Sequence, residues 1–297
     1  MTINRYEILV HIAETGSFTK AAKLLNITQP AASHAITSLE TELGVPLIQR
    51  DRKKGILFTA VGQEVLVQMR EILRRVENIN QIAAAERGMQ QGSITVGAFP
   101  SAAAHFMPRI MVYFRQHYPN LNLILHEGSI EEVRHWIRSR RVDVGIVFDP
   151  EEDMETVPLF TDQMVLVMRE DDVLASRISI DIEDLGGRPM MICRGGYKAQ
   201  IMELFRKRGT ALNMVHSVYN IETVLNMIGE GMGISMLPQL SLTHLNPGLV
   251  IRHLQPEVSR ELSMAVPSLK EASKAVHLFM ETAQRLFQAS PSVTSKG

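Results

Sequence analysis

Three short stretches of helical periodicity open the chain. Ile8, Leu9 and Ile12 mark a first helix over residues 5–14, because apolar residues three and four apart share one helix face. Gly16 stops it, and Ser17 caps a second, Ala-rich helix over 19–25. After the turn Asn26-Ile27, Thr28 caps a third helix that reaches about Glu42 and ends at Gly44. Pro30 falls in its first turn, where a missing N–H costs little. Leu47-Ile48 and Ile56-Leu57-Phe58 suit two short strands, joined by the basic tip Arg50-Asp51-Arg52-Lys53-Lys54-Gly55. Helix-turn-helix followed by a basic hairpin is the plan of a winged helix-turn-helix.

The period then lengthens into one helix over 59–87. Val65, Met69, Ile72, Val76, Ile79 and Ala83 step by four and three, a coiled-coil seam flanked by Arg and Glu. A helix between two domains has little core of its own to cover, so the seam reads as a dimerisation face; the alternative is one amphipathic helix lying on its own domain. Beyond a Gly/Gln linker at 88–93, strands alternate with helices: strands at 94–99, 121–126 and 142–148, helices at 102–117 and 130–140. This βαβαβ order predicts a parallel sheet with helices on both faces. A second such region has strands near 164–168, 189–192, 215–219, 234–237 and 262–266, with helices at 198–207 and 221–230. A helix over 270–288 and a polar tail follow. Two α/β lobes with a groove between them are a common ligand-binding arrangement.

Composition narrows the class. With 297 residues, 45% hydrophobic and 21% charged, the chain suits a soluble multidomain protein. No apolar run approaches the ~20 residues of a membrane span. The first nine residues lack a signal-peptide core, and the single cysteine, Cys193, suits a reducing cytoplasm. A net charge of −1 hides an asymmetry: residues 1–92 hold 11 Lys+Arg against 9 Asp+Glu. That balance permits nucleic-acid binding at the N-terminus without demanding it.

The run Phe18-Thr19-Lys20-Ala21-Ala22-Lys23-Leu24-Leu25-Asn26-Ile27-Thr28-Gln29-Pro30-Ala31-Ala32-Ser33 is followed by Ile36, Leu39-Glu40, Leu43-Gly44 and Leu47. With Arg50 and Thr59-Ala60-Val61-Gly62, it resembles the DNA-binding signature of LysR-type transcriptional regulators. Gly231-Met232-Gly233-Ile234-Ser235-Met236-Leu237-Pro238 resembles that family's effector domain more loosely. The resemblance implies an α+β multidomain protein: winged helix-turn-helix over 1–58, linker and dimerisation helix over 59–88, and a two-lobed, periplasmic-binding-protein-like effector-binding domain over 93–297. Lobe I is expected over 93–163 and 267–290, lobe II over 164–266, with crossings near 161–164 and 265–268. It also implies a homodimer or homotetramer, with promoter DNA, a small-molecule effector and RNA polymerase as partners. His34 departs from the longer, often charged residue usual there, and Ile48 from a large aromatic.

The residues themselves fit DNA recognition. Small side chains let the third helix enter a major groove, where Gln29 suits an adenine edge and Pro30 and Ala31 a thymine methyl. Thr28, Ser33 and His34 complete the candidate helix contacts, and Arg50, Arg52, Lys53 and Lys54 suit phosphates. The expected dimer contacts are Val65, Met69, Ile72, Val76 and Ile79. Effector contacts are expected at the carboxyl ends of strands: Pro100, Ser101 and Ala102, then Ser129 and Phe148, and across the groove Arg194 and Gly196. Ser101 and Ser129 alternatively serve as helix caps, and Phe148 as core.

Catalytic patterns fail on inspection. Gly229-Glu230-Gly231-Met232-Gly233-Ile234 lacks the last glycine of a dinucleotide loop and precedes a strand. Ser17-Phe18-Thr19-Lys20 has no companion motifs, and ten histidines give no zinc spacing. Cys193 reads as a small buried thiol. We therefore expect no enzyme, no cofactor, no metal site and no membrane association. The competing reading is a solute-binding protein using only the two lobes, which the N-terminal motif opposes.

Overall fold

The computed structural model describes residues 3–51, 55–86, 91–194, 197–242 and 244–288. Helices α1 (Ile3–Thr15), α2 (Phe18–Leu24) and α3 (Gln29–Leu43) precede a hairpin of β1 (Ile48–Asp51) and β2 (Gly55–Phe58). Ser17 Oγ accepts the Lys20 amide and Thr28 Oγ1 the Ala31 amide, each at 3.3 Å, satisfying donors that a helix start leaves open. Gly44 closes α3 at φ 70°, a conformation strained for any residue with a Cβ. Leu9, Ile12, Ala21, Ala32, Leu39 and Leu47 form the fully buried centre of this domain.

Helix α4 (Ala60–Glu86) is locked to the hairpin at its start. Thr59 Oγ1 donates to the Pro46 carbonyl at 2.8 Å and accepts the Gly62 amide at 2.9 Å. A Cβ on Gly62 would lie 2.1 Å from the Leu47 carbonyl oxygen, so only glycine fits. The first turns of α4 then cover the helical domain: Met69 is 4% exposed within its core and Val65 packs on it. Met69 is thus turned into the chain's own core, which corrects that one position of the expected seam, while Val65 stays half-exposed. A core of some sixty residues is marginal alone, and Leu66 and Met69 of α4 add to it. Ile72, Ile79 and Ile82, in contrast, are 40%, 64% and 56% exposed.

Lobe I begins with β3 (Gly92–Ala98), α5 (Pro100–His117), β4 (Leu121–Glu127), α6 (Ile130–Arg138) and β5 (Val144–Phe148). Strands β4, β3 and β5 are parallel neighbours in that order. Strand β6 (Glu155–Arg169) crosses into lobe II, built on β7 (Ser179–Asp181), β8 (Pro189–Cys193), α7 (Lys198–Lys207), β9 (Asn213–Val218), α8 (Ile221–Gly229) and β10 (Ser235–Pro238). Strand β11 (Leu249–Val266) returns, and α9 (Lys274–Gln288) seals lobe I.

The two crossing strands depart most from the sequence pattern. β6 and β11 run 15 and 18 residues and pair antiparallel from Leu249–Arg169 to Val266–Glu155, with irregularities at His253/Val258 and Leu262/Ser263. The main sheet is therefore mixed, not parallel throughout. The return crossing spans residues 253–262 instead of 265–268. Leu262, Met264, Ala265 and Val266 belong to the core of lobe I, because Leu262–Ala265 pair with β5. A period of two identifies a strand but not which lobe each end feeds. Leu159 packs in lobe I and Met164 in a separate lobe II core.

Candidate DNA-contacting face and interlobe site

Gln29, Pro30, Ala31 and His34 stand exposed on α3, with Ser33 half-buried behind them and Thr28 at the cap. Ala32, on the same helix, is fully buried in the core of this domain. The exposed face continues through Thr37 and Thr41, which sequence reading passed over although they lie three and seven residues beyond His34. Their hydroxyls donate back to the Ser33 and Thr37 carbonyls at 3.1 and 2.8 Å. Glu40 Oε1 accepts the Leu47 and Ile48 amides at 2.8 and 3.0 Å, fixing the hairpin relative to α3. The backbone of Arg50 pairs with Ile56 in that hairpin, and Arg52, Lys53 and Lys54 lie outside the described residues.

In lobe I, Pro100 is exposed and Ser101 half-buried at the start of α5. The cap of that helix is Phe99, with no side-chain bond, so Ser101 is not the cap. Ala102 is fully buried, and its methyl is withdrawn into the lobe I core. Ser129 does cap α6: its Oγ accepts the Glu132 amide at 3.2 Å, and its own amide donates to Glu132 Oε2 at 2.8 Å. Those Ser129 bonds hold the Glu132 carboxyl below its ordinary range. Arg194 is exposed, with Nε donating to Ser217 Oγ at 3.2 Å and its guanidinium 5.1 Å from the centre of the Tyr219 ring. Gly196 lies outside the described residues.

Phe148 is 1% exposed and packs edge-on against Phe99, so it is a wall and not an open contact. What it faces is the feature that sequence reading missed. Asp162 on β6 and Arg260 on β11 are directly paired in the crossing ladder and are 1% and 3% exposed. Arg260 Nε and an Nη donate to Asp162 Oδ2 at 3.0 and 2.9 Å, and Asp162 Oδ1 accepts the Leu240 amide at 2.9 Å. The guanidinium lies 4.7 Å from the Phe148 ring, 5.5 Å from Phe99 and 5.8 Å from Tyr197, two rings of lobe I and one at the start of α7. Burial pushes the Asp162 carboxyl up while Arg260 pulls it down. His105 nearby is held below its ordinary range by burial, against the pull of Asp162. Gln200 of α7 donates to Asp149 Oδ2 at 2.7 Å, a second link across the groove.

Residues 3–63 match the model of the bacterial regulatory helix-turn-helix proteins of the lysR family, and residues 87–288 that of the LysR substrate binding domain. The chain belongs to the LysR family. It is thus a transcriptional regulator with a helix-turn-helix DNA-binding domain and an effector-binding domain. The HTH-type transcriptional regulator YvbU of Bacillus subtilis (strain 168) is 47% identical over 97% of this chain and 100% of its own length. The dual regulator OxyR of Escherichia coli (strain K12) is 31% identical over 82% of this chain and 80% of its own. A full-length OxyR variant from Pseudomonas aeruginosa has the same fold, with a TM-score of 0.81 over 100% of this chain and 99% of its own at 24% identity.

LysR regulators act as oligomers, and this chain carries an uncovered apolar face. Ile72, Ile79 and Ile82 on α4 continue into an open groove of about 540 Å³ whose walls include Tyr6, Leu43, Val65, Val67 and Met69. Among the described residues no helix is long and apolar enough to cross a membrane. No group of three His, Cys, Asp or Glu side chains among them could hold a metal ion.

Proposed function

We propose that α3 reads the operator through Gln29, Pro30, Ala31, Ser33 and His34, and that the hairpin grips phosphates through Arg50, Arg52, Lys53 and Lys54. The observation that carries this reading is the capped, outward face of α3, with its small and amide-bearing residues exposed and its larger apolar residues turned in. Two such helices are needed to span two half-sites, and a second copy covering Ile72, Val76 and Ile79 supplies the other. Ile79→Asp should leave the chain folded yet abolish the dimer and, with it, tight DNA binding.

The effector-binding site lies in the groove between the lobes, with Pro100, Ser101, the Ala102 amide, Ser129 and Arg194 lining its mouth and the Asp162–Arg260 pair at its floor. Relatives about 30% identical are named hydrogen peroxide-inducible genes activators, but for this chain we assign a metabolite. Its one cysteine, Cys193, is 1% exposed and its thiol donates to the Tyr219 carbonyl at 3.1 Å. Burial keeps this sulfur away from solvent, whereas peroxide chemistry needs an accessible thiolate.

A gel shift with the chain's own upstream promoter region tests the first part; no binding at low salt would overturn it. A thermal-shift screen of small metabolites tests the second. A ligand at ~100 times its Kd adds ~2.7 kcal/mol, and no shift with any metabolite alongside a response to peroxide would reverse the assignment.

A further inference from the structure

The linker helix touches its own effector domain through a closed cluster of charges. On α4, Glu71 contacts Arg74 and Arg75, each at 2.8 Å, and reaches Arg140 at the end of α6 at 2.7 Å. Glu271, just before α9, contacts Arg75 at 2.9 Å, Arg140 at 3.3 Å and Arg74 at 4.0 Å. Each of the three arginines therefore meets both carboxylates. The Glu71 and Arg74 side chains are only 13% exposed and Arg140 only 20%, so solvent screens them less than an ordinary surface pair. One turn earlier on α4, Arg70 donates to the Ser139 carbonyl at 3.0 Å.

The backbone adds an independent sign. Arg140 stands at φ 52°, a left-handed conformation rare for a residue that is not glycine, asparagine or aspartate. Residues held in such conformations persist where surrounding contacts over-determine them, and they gather at switch regions. Here the contacts are the two carboxylates, one from the linker and one from the far end of lobe I, 131 residues along the chain from Arg140.

We propose that Glu71, Glu271, Arg74, Arg75 and Arg140 form a clasp that fixes the angle between the linker helix and lobe I of the same chain. The clasp is the element through which a change in the effector domain reorients the DNA-binding domain. It rests on the regulator reading only for that second step. Glu71 and Glu271 are positioning residues that act through Arg74, Arg75 and Arg140.

The test uses the full-length protein as Glu71→Gln, Glu271→Gln and the double variant. These changes remove charge and keep shape, and Glu271→Gln alone, on a loop, spares the helix. Hydrogen exchange is read over residues 70–76 and 138–141, and DNA bending is read on the upstream promoter fragment. We expect loss of exchange protection at both segments, a changed bend angle, and unchanged affinity for a single half-site. Raising salt should erode protection in the wild type and have little effect in the double variant. Wild-type protection in the double variant would overturn the clasp. Lost protection with an unchanged bend would keep the contact but overturn its role in reorienting the DNA-binding domain. Failure of the wild type to bind DNA would instead strike the regulator reading, leaving the exchange result to decide the contact.

Discussion

In the N-terminal domain the bonds that shape the site are short in sequence. Ser17 and Thr28 each bind an amide three residues away, and Glu40 reaches Leu47 across seven. In the crossing strands, Asp162 and Arg260 are 98 residues apart and meet only after all of lobe II has been laid down between them. The first site is specified by residues a reader sees side by side. The second exists only as a product of topology. Local sites hold their shape when one contact is lost, whereas a long-range buried pair concentrates its energy in one place.

The largest expected effect tests that concentration. Asp162→Ala leaves Arg260 buried and unpaired, and removing one partner of such a pair costs ~3–5 kcal/mol. Chemical denaturation should show the two-lobed domain weakened by that much, with Asp162→Ala/Arg260→Met recovering much of it. A loss below ~1 kcal/mol for the single variant would mean the pair is solvated in solution and the comparison fails.

Gln29→Ala should cost ~1–3 kcal/mol of discrimination at one base pair per half-site while leaving the denaturation midpoint unchanged. Competition binding with base-substituted operators measures it, and equal discrimination in both proteins would remove Gln29 from the contact set. Ser129→Ala sharpens the comparison inside the two-lobed domain, because this cap is local. It should cost ~1 kcal/mol, well short of Asp162→Ala; a larger loss would show that local and long-range bonds there are coupled. The smallest effect belongs to Cys193→Ser. A promoter reporter should respond to the effector as in the wild type, and a lost response would restore thiol chemistry to this chain.

Legibility from sequence followed the same division. Caps and turns were readable because Gly16, Ser17, Thr28 and Gly44 act on neighbours only a few residues away. Met69 was misread because a heptad step looks the same whether it faces a partner helix or the protein's own core. The strands near 164–168 and 262–266 were found, but not that they extend into one ladder, so residues 262–266 went to the wrong lobe. Arg260 carried no signal at all: a lone arginine in a polar stretch looks solvated until Asp162 and three aromatic rings gather round it. Ser101 and Ser129 looked equivalent in sequence, and backbone geometry made a cap only of Ser129.

The return of β11 to lobe I also sets a schedule for the newborn chain. The buried cluster of lobe II runs from Met164 to Leu254 and has left the ribosome before lobe I is whole. Lobe I starts earlier but waits for Leu262–Val266 and for Val276, Phe279, Ala283 and Phe287 of α9. Domains usually mature from the N-terminus onward during synthesis; here the inner lobe can close first and the outer one last. Cutting the chain after residue 273 would therefore spare both Asp162 and Arg260 and still leave lobe I without α9.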